Sequence, residues 1–442
     1  MSPLELGVLI GVVTIVVLAT GIPIAFGLGI VALGFLIVID GWGSLGIVAD
    51  TFFGGLADFT LVSIPMFVLM GAAVASSPAG KDLYEALERW LYRVPGGLVI
   101  SNIGACSIFA ALSGSSPATC AAIGKMGIPE MRQRGYPDGL ATGAIAAGGT
   151  LGILIPPSVT MIVYGISTET SIGRLFIAGL LPGLMLTGLF MAWSLYAAWR
   201  GGYRFNISEA GYSLRDKLVV LPRVLPFLLI IAGVLYVLYG GVATPSEAAG
   251  VGALFCILLV VVIYGLFLRS WSPVRIWEIL GDSMRESVMI LMIIGASALF
   301  SYMLSSLFVT QSIAEWIAAL DVNRWVLMAM INVFLLVCGF FLPPVAVILM
   351  TAPILLPIVT SAGFDPYWFA VVFTINMEIG LITPPVGLNL YVINGIVPDV
   401  KLQTILKGAL PYMLAMVLGI VLLCIFPSIA TWLPNAMLGQ GI

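Results

Sequence analysis

The chain has 442 residues, of which 61% are hydrophobic and 9% charged, with a formal net charge of −3. A soluble domain carries about 25% charged residues, so an aqueous surround is excluded and lipid must be the solvent for much of this chain. Histidine is absent, which removes Ser–His and Cys–His catalysis, histidine metal sites and histidine proton relays, and no basic patch points to nucleic acid.

Apolar runs of about 17–25 residues mark membrane-spanning helices. In chain order they fall near 4–20, 23–39 and 60–78, and the first lacks the basic start and small-residue cleavage site of a removable signal, so it is expected to stay in the membrane. GKDLYEALERWLYR (80–93) places Leu83, Leu87 and Leu91 on one helical face and reads as an interfacial amphipathic helix. The stretch 95–129 is broken at GSSP and predicts a re-entrant hairpin of two half-helices. Spans near 138–166, 173–199, 220–239, 244–268 and 286–308 follow, then a second amphipathic segment, QSIAEWIAAL (311–320). A second re-entrant hairpin, 325–361, is broken at FFLPP, and spans near 366–395 and 408–431 complete an all-α polytopic chain of about ten spanning helices plus two hairpins. The five cysteines are scattered without a CxxC spacing and read as small buried hydrophobes.

Positive charge orients this arrangement. With the N-terminus periplasmic and the first hairpin opening to the cytoplasm, every basic residue except Arg174 and Arg324 falls on the cytoplasmic side, Arg93, Arg204, Arg269 and Arg285 among them. Ten spans then return the C-terminus to the periplasmic side.

The halves also correspond. A shift of 228 residues lays Pro129 on Pro357, Gly135 on Gly363, Gly152 on Gly380 and Pro156-Pro157 on Pro384-Pro385, with Ser115-Ser116 at the first hairpin tip over Pro343-Pro344 at the second. The two hairpins open to opposite sides by the charge count, so residues 1–218 and 219–442 read as inverted repeats. Each holds one hairpin and one broken helix (138–166, 366–395), with scaffold and transport parts interleaved. Inverted repeats with matched broken helices mark secondary transporters, with the site where the breaks meet.

Paired prolines inside an apolar helix remove backbone donors and free carbonyls, and such backbone is tolerated in a membrane only where it is buried or lines a cavity. Freed carbonyls and hydroxyls are hard oxygen ligands for a small cation. One cation site is therefore expected from Ser113 and Ser116 with the backbone around Gly152, Ile155 and Pro157, and a second from Gly339 with Gly380, Thr383 and Val386. Half-helix N-termini suit an anionic solute, and Ser158, Thr160, Asn376, Glu378 and Asn389 are candidates to touch it. No arginine is expected inside the spans to clamp a carboxylate. Glu247, in ATPSEAAG, reads as a helix-start residue stabilised by the N-terminal dipole.

The motifs GSSPATCAAIG (114–124), GILIPPS (152–158), GGVATPSEAAGVG (240–252) and NMEIGLITPPVGLNLYV (376–392) give the chain a family. Across essentially its whole length it resembles the large membrane subunit of tripartite ATP-independent periplasmic (TRAP) transporters, within the wider ion transporter superfamily. The resemblance implies an elevator-type carrier of the bacterial inner membrane, whose hairpins and broken helices move together. It implies sodium as coupling ion, at the positions named above, and no other cofactor. It further implies a separate periplasmic binding protein, a small four-helix membrane subunit, and organic acids as solutes: C4-dicarboxylates, sialic acid, other sugar acids or 2-oxo acids. No fused small-subunit domain is expected ahead of residue 1. No Walker A loop is present, in keeping with gradient-driven work. The competing readings are a stand-alone sodium-coupled carboxylate transporter or ion antiporter of the same superfamily, a channel, and an intramembrane enzyme. The enzyme reading is disfavoured by the lack of histidine, HExxH and GxSxG.

Overall fold

Many of the helices begin where the sequence supplies a capping side chain or a proline. The computed structural model, which describes residues 2–91, 94, 96–201, 212–267, 272, 275–319 and 322–439, has twenty α-helices among those residues. Arg93, Pro95, Arg204, Leu268, Arg269 and Leu320, which enter the expectations above, lie outside the described residues.

Ser2 and Glu5 form a reciprocal capping box and Pro3 fits the first turn, so α1 spans Pro3–Ala19. Then come α2 (Ile24–Asp40), α3 (Leu45–Leu56) and α4 (Ser63–Ala75), the last two related by a 59° bend at which Asp58 accepts from the Thr60 N–H at 2.8 Å. Next are α5 (Ala79–Leu91), α6 (Gly97–Ser113), α7 (Ser116–Gln133), α8 (Asp138–Thr150), α9 (Val159–Ser167) and α10 (Ile172–Arg200). A Ser213–Asp216 capping box starts α11 (Leu214–Tyr239). A Thr244–Glu247 box, with Thr244 accepting from the Glu247 N–H at 3.3 Å, starts α12 (Pro245–Leu259), as the sequence places Glu247. α12 runs on as a π-helical stretch, Val260–Phe267. Then follow α13 (Arg275–Ser306), α14 (Val309–Ala319), α15 (Arg324–Phe341), α16 (Pro344–Ser361), α17 (Pro366–Leu381), α18 (Leu388–Ile396), α19 (Leu402–Ile425) and α20 (Ser428–Leu438).

Among the described residues seven helices, α12 counted with its π-helical continuation to Phe267, are long and apolar enough to cross a membrane, or eight if the bent α3–α4 stretch counts as one span. Two of the seven, α15 and α16, make up the stretch expected as the second hairpin; of the ten expected spans, those at 138–166 and 366–395 are each divided into two shorter helices, and α1 and α2, of 17 residues each, are one residue short of 18. Membrane helices approach closely where residues are small. α8 crosses α19 at such a place: a Cβ on Gly143 would overlap the backbone of Gly408, and one on Gly408 would overlap Gly139.

The same spacing that aligns the motifs aligns the helices. Adding 228 to α7 gives the bounds of α16, and adding it to the start of α8 gives the start of α17. The peptide bonds Pro156–Pro157 and Pro384–Pro385 are both cis. The shift also sets α3 and α4 over the single long α13, with the bend residue Asp58 over Glu286 inside an unbroken helix.

Three expectations are corrected by this register. The stretch between the expected spans at 23–39 and 60–78, where no helix is expected, contains α3, whose Gly55 lies against Ala298 and whose Phe52 lies against Gly295 of α13. α13 starts at Arg275 rather than 286, because the polar segment before the apolar run continues the same helix; Arg285 therefore lies inside it. α19 spans 402–425 rather than 408–431, since Pro427 cannot continue a helix and Phe426 adopts φ −124°, ψ 73° ahead of it.

The amphipathic α5 is also more enclosed than an interfacial helix. Asp82 is buried, accepting from the Tyr264 hydroxyl at 2.7 Å with Arg223 at 3.4 Å, and Glu88 is buried against Arg134 of the α7–α8 turn. α5 is thus bonded on one side to α11 and the π-helical stretch and on the other to the end of α7. In α14, Ile313 lies near Gly7 of α1 and Trp316 is half exposed.

Candidate functional site

At the first break, α6 ends at Ser113 because Gly114 takes φ +58°, a left-handed conformation that costs other residues steric strain. Ser115 is extended, and Ser116-Pro117 opens α7. The buried Ser113 and Thr119 hydroxyls are 2.8 Å apart, and Thr119 donates to the Ser115 carbonyl at 2.9 Å. The broken helix presses its glycine backbone directly onto this tip. A Cβ on Gly152 would lie 2.6 Å from the Ser115 oxygen and 2.9 Å from the Ser116 nitrogen, and one on Gly114 would lie 2.9 Å from the Pro157 oxygen. Ser113, Ser116, Gly152 and Pro157 are therefore brought together. The Ile155 side chain turns away to pack where Gly183 of α10 leaves room.

At the second break, Gly380 of α17 meets the carbonyl of Gly339 of α15 so closely that no Cβ could fit. The Val386 N–H donates to the Phe340 carbonyl at 3.1 Å, fastening the loop after α17 to the end of α15. Thr383 donates to the Ile379 carbonyl at 2.6 Å. Gly339, Gly380, Thr383 and Val386 thus share one neighbourhood.

Between the breaks lies a cavity of about 930 Å³. Its wall includes both hairpin tips (Ser113–Ala118 and Pro343–Val345) and residues flanking both breaks (Ile153, Val159 and Thr160; Leu381 and Leu388), closed by the start of α2 and one face of α13. The wall is mostly apolar, with hydroxyls concentrated at the first tip and Thr160.

Of the solute candidates, Thr160 is on this wall. Ser158 is not: it caps α9, donating to the Ile153 carbonyl at 2.6 Å and accepting from the Met161 N–H at 3.3 Å. Asn376 faces α15, donating to Asn332 at 2.6 Å and to the Val372 carbonyl at 2.8 Å. Glu378 is fully buried, off the wall, and neither carboxyl oxygen has a hydrogen-bond partner. Asn389 reaches across to the first tip, donating to the Ser116 hydroxyl at 2.8 Å and the Ala146 carbonyl at 3.1 Å. Its own carbonyl oxygen is buried without a partner. Sequence reasoning missed Arg285 and Glu286, both on the cavity wall; the signal available was a helical register continuing upstream of the apolar run.

The arrangement gathers carbonyl and hydroxyl oxygens, the hard ligands of small cations, at two backbone breaks beside one cavity. It offers no metal cluster: among the described residues no group of three or more Cys, Asp or Glu side chains is placed to bind a metal ion.

Comparison with known proteins gives the chain its family and fold relatives. The chain is 38% identical over 377 residues to the C4-dicarboxylate TRAP transporter large permease protein DctM of Pseudomonas aeruginosa, covering 85% of this chain and 86% of that one. It is 32% identical to the sialic acid TRAP transporter large permease protein SiaM of Vibrio cholerae, covering 96% and 97%. In fold it is similar to the YdaH transporter of Alcanivorax borkumensis, with a TM-score of 0.65 at 17% identity over 92% of this chain and 91% of that one. Residues 11–429 match the family described as tripartite ATP-independent periplasmic transporter, DctM component, and the chain belongs to that family as a multi-pass membrane transport permease rather than an enzyme.

Proposed function

We propose that this permease carries out sodium-coupled uptake of a small organic anion delivered by a periplasmic binding protein, with a small four-helix membrane subunit bracing it. The observation that supports this most is the single cavity walled by both hairpin tips and by residues flanking both backbone breaks. A carrier needs ion and solute sites that open together, and a cavity shared by residues flanking both breaks supports that reading.

In this reading residues 1–218 and 219–442 are inverted repeats, α6–α7 and α15–α16 are re-entrant hairpins, and these move with α8–α9 and α17–α18 as an elevator. Both termini are periplasmic, in the inner membrane of a bacterium. Ser113, Ser116 and the backbone of Gly152, Ile155 and Pro157 hold one sodium ion. Gly339, Gly380, Thr383 and Val386 hold the other. Two donor sets rich in carbonyl and hydroxyl oxygen fit a hard monovalent cation, and the glycines at 152 and 380 let the backbones approach closely enough to share it. Related permeases are named for C4-dicarboxylate, sialic acid and 2,3-diketo-L-gulonate, so an organic acid is the solute class taken here. Two sodium ions entering with a monovalent anion move one net positive charge inward. A potential of about 100 mV supplies about 2.3 kcal/mol for that charge, worth about a fifty-fold accumulation.

The test is uptake into proteoliposomes holding the chain and its small subunit. With a sodium gradient, labelled succinate, N-acetylneuraminate or 2,3-diketo-L-gulonate should enter only when the matching binding protein is added outside. Uptake at the same rate without any binding protein would instead assign a stand-alone carboxylate transporter.

A further inference from the structure

Arg285 is the one positively charged side chain on the cavity wall among the described residues. Its ion-pair partner is Asp282, one turn away on the same helix at 3.5 Å, with side chains 86% and 73% exposed. Exposed pairs of this kind contribute little and leave the guanidinium free to change partners. An exposed side chain that also lines the cavity stands at its mouth. Behind it the wall is apolar, with Val68, Ala72, Met289 and Ile293. The same wall carries the hydroxyls of Ser113, Ser115, Ser116 and Thr160, and next to Arg285 on α13 is Glu286.

We infer that Arg285 is the carboxylate-binding residue of the transport cavity, a specificity-determining contact on α13 that receives the solute's carboxylate. The inference rests on the organic-anion reading above. A guanidinium presents a planar fork that matches a carboxylate with two parallel hydrogen bonds, which a lysine ammonium cannot reproduce. The division of labour follows from chemistry: oxygen-rich breaks attract cations, and Arg285 adds the positively charged donor that those breaks lack.

The experiment is a comparison of KM and maximal rate in proteoliposomes with binding protein and sodium gradient, using the three labelled acids named above. Arg285→Gln should raise KM for the transported acid by about tenfold or more, the size of a lost charge-assisted contact. Arg285→Lys should recover part of that loss, while Asp282→Asn, which only frees the guanidinium, should leave KM no higher than wild type. Sodium activation should be unchanged in all three. A KM for Arg285→Gln within twofold of wild type, or an equal loss in Asp282→Asn, overturns the inference and leaves the uptake reading standing. A wild type that takes up none of the three acids overturns both.

Discussion

Asn389, at the start of α18, donates to the hydroxyl of Ser116, 2.8 Å away at the start of α7 and 273 residues earlier in the chain. The same amide nitrogen donates to the Ala146 carbonyl of α8, which can only accept, so the amide's orientation is fixed and its oxygen is the atom left without a partner. One side chain near the C-terminal end of the chain thereby holds the turn between α6 and α7.

Replacing Asn389 by leucine strands the Ser116 hydroxyl and removes a donor from Ala146. A buried polar group left unsatisfied costs about 1–3 kcal/mol, so the thermal midpoint of the detergent-solubilised protein should fall by several degrees. Because Ser116 belongs to the proposed first sodium site, the added stability given by sodium over potassium should shrink as well. A variant with unaltered midpoint and unaltered sodium response would show that the bond is incidental.

Thr383→Val keeps the shape and deletes the hydroxyl that donates to Ile379. The local hydrogen bond is worth about 0.5–1.5 kcal/mol, so the protein should fold. Half-maximal activation of uptake should move to higher sodium, because one oxygen of the second site is gone. Unchanged sodium activation in this variant removes Thr383 from the site.

The crossing of α8 and α19 makes a packing prediction with an internal control. Gly143→Ala drives a methyl group into the backbone of Gly408, and overpacking of this kind costs about 1–3 kcal/mol, more than the roughly 1 kcal/mol alanine gains in helix propensity. Gly188 of α10 has open space at the same distance, so Gly188→Ala should be neutral or stabilising. Thermal unfolding of the two variants side by side checks the difference.

Outside the spans, Arg132 at the end of α7 bonds Asp399 in the α18–α19 loop at 2.5 Å and Asp138 at the start of α8 at 2.9 Å. The hydrogen bond from Arg132 holds the Asp399 carboxyl below the usual carboxylate range. A group with a lowered folded value contributes its full stabilisation above the unfolded value of about 3.9 and loses it as pH falls through the folded one. Asp399→Asn should therefore be slightly less stable than wild type at neutral pH, with the two midpoints converging in acid. A gap that persists or widens in acid would mean that the pair is not the cause.

Much of this was legible in the sequence because glycine and proline punctuate it. The Pro-Pro pairs, Gly152, Gly380 and the GSSP and FFLPP tips fall at the ends of helices that the structure places in the same register 228 residues apart. The Thr244–Glu247 cap was readable for the same reason, since its partners are three residues apart. What escaped was long-range or marginal in hydropathy. The polar approach to α13 hid both its true start and Arg285. The matched segment around Asp50 and Gly54-Gly55 hid α3, so the two misses are one miss made in each half. Asn389 could be flagged as a polar residue in an apolar helix, but which partner it meets is decided by packing between elements 273 positions apart.

The central claim is that a sodium gradient drives the solute inward, and the most direct measurement is the initial rate of uptake into proteoliposomes containing the chain, its small subunit and the loaded binding protein. The comparison is sodium outside only, equal sodium on both sides, and potassium replacing sodium. The account predicts accumulation above the external concentration with sodium outside only, mere equilibration with equal sodium, and negligible uptake in potassium. Accumulation that is just as large in potassium would contradict it.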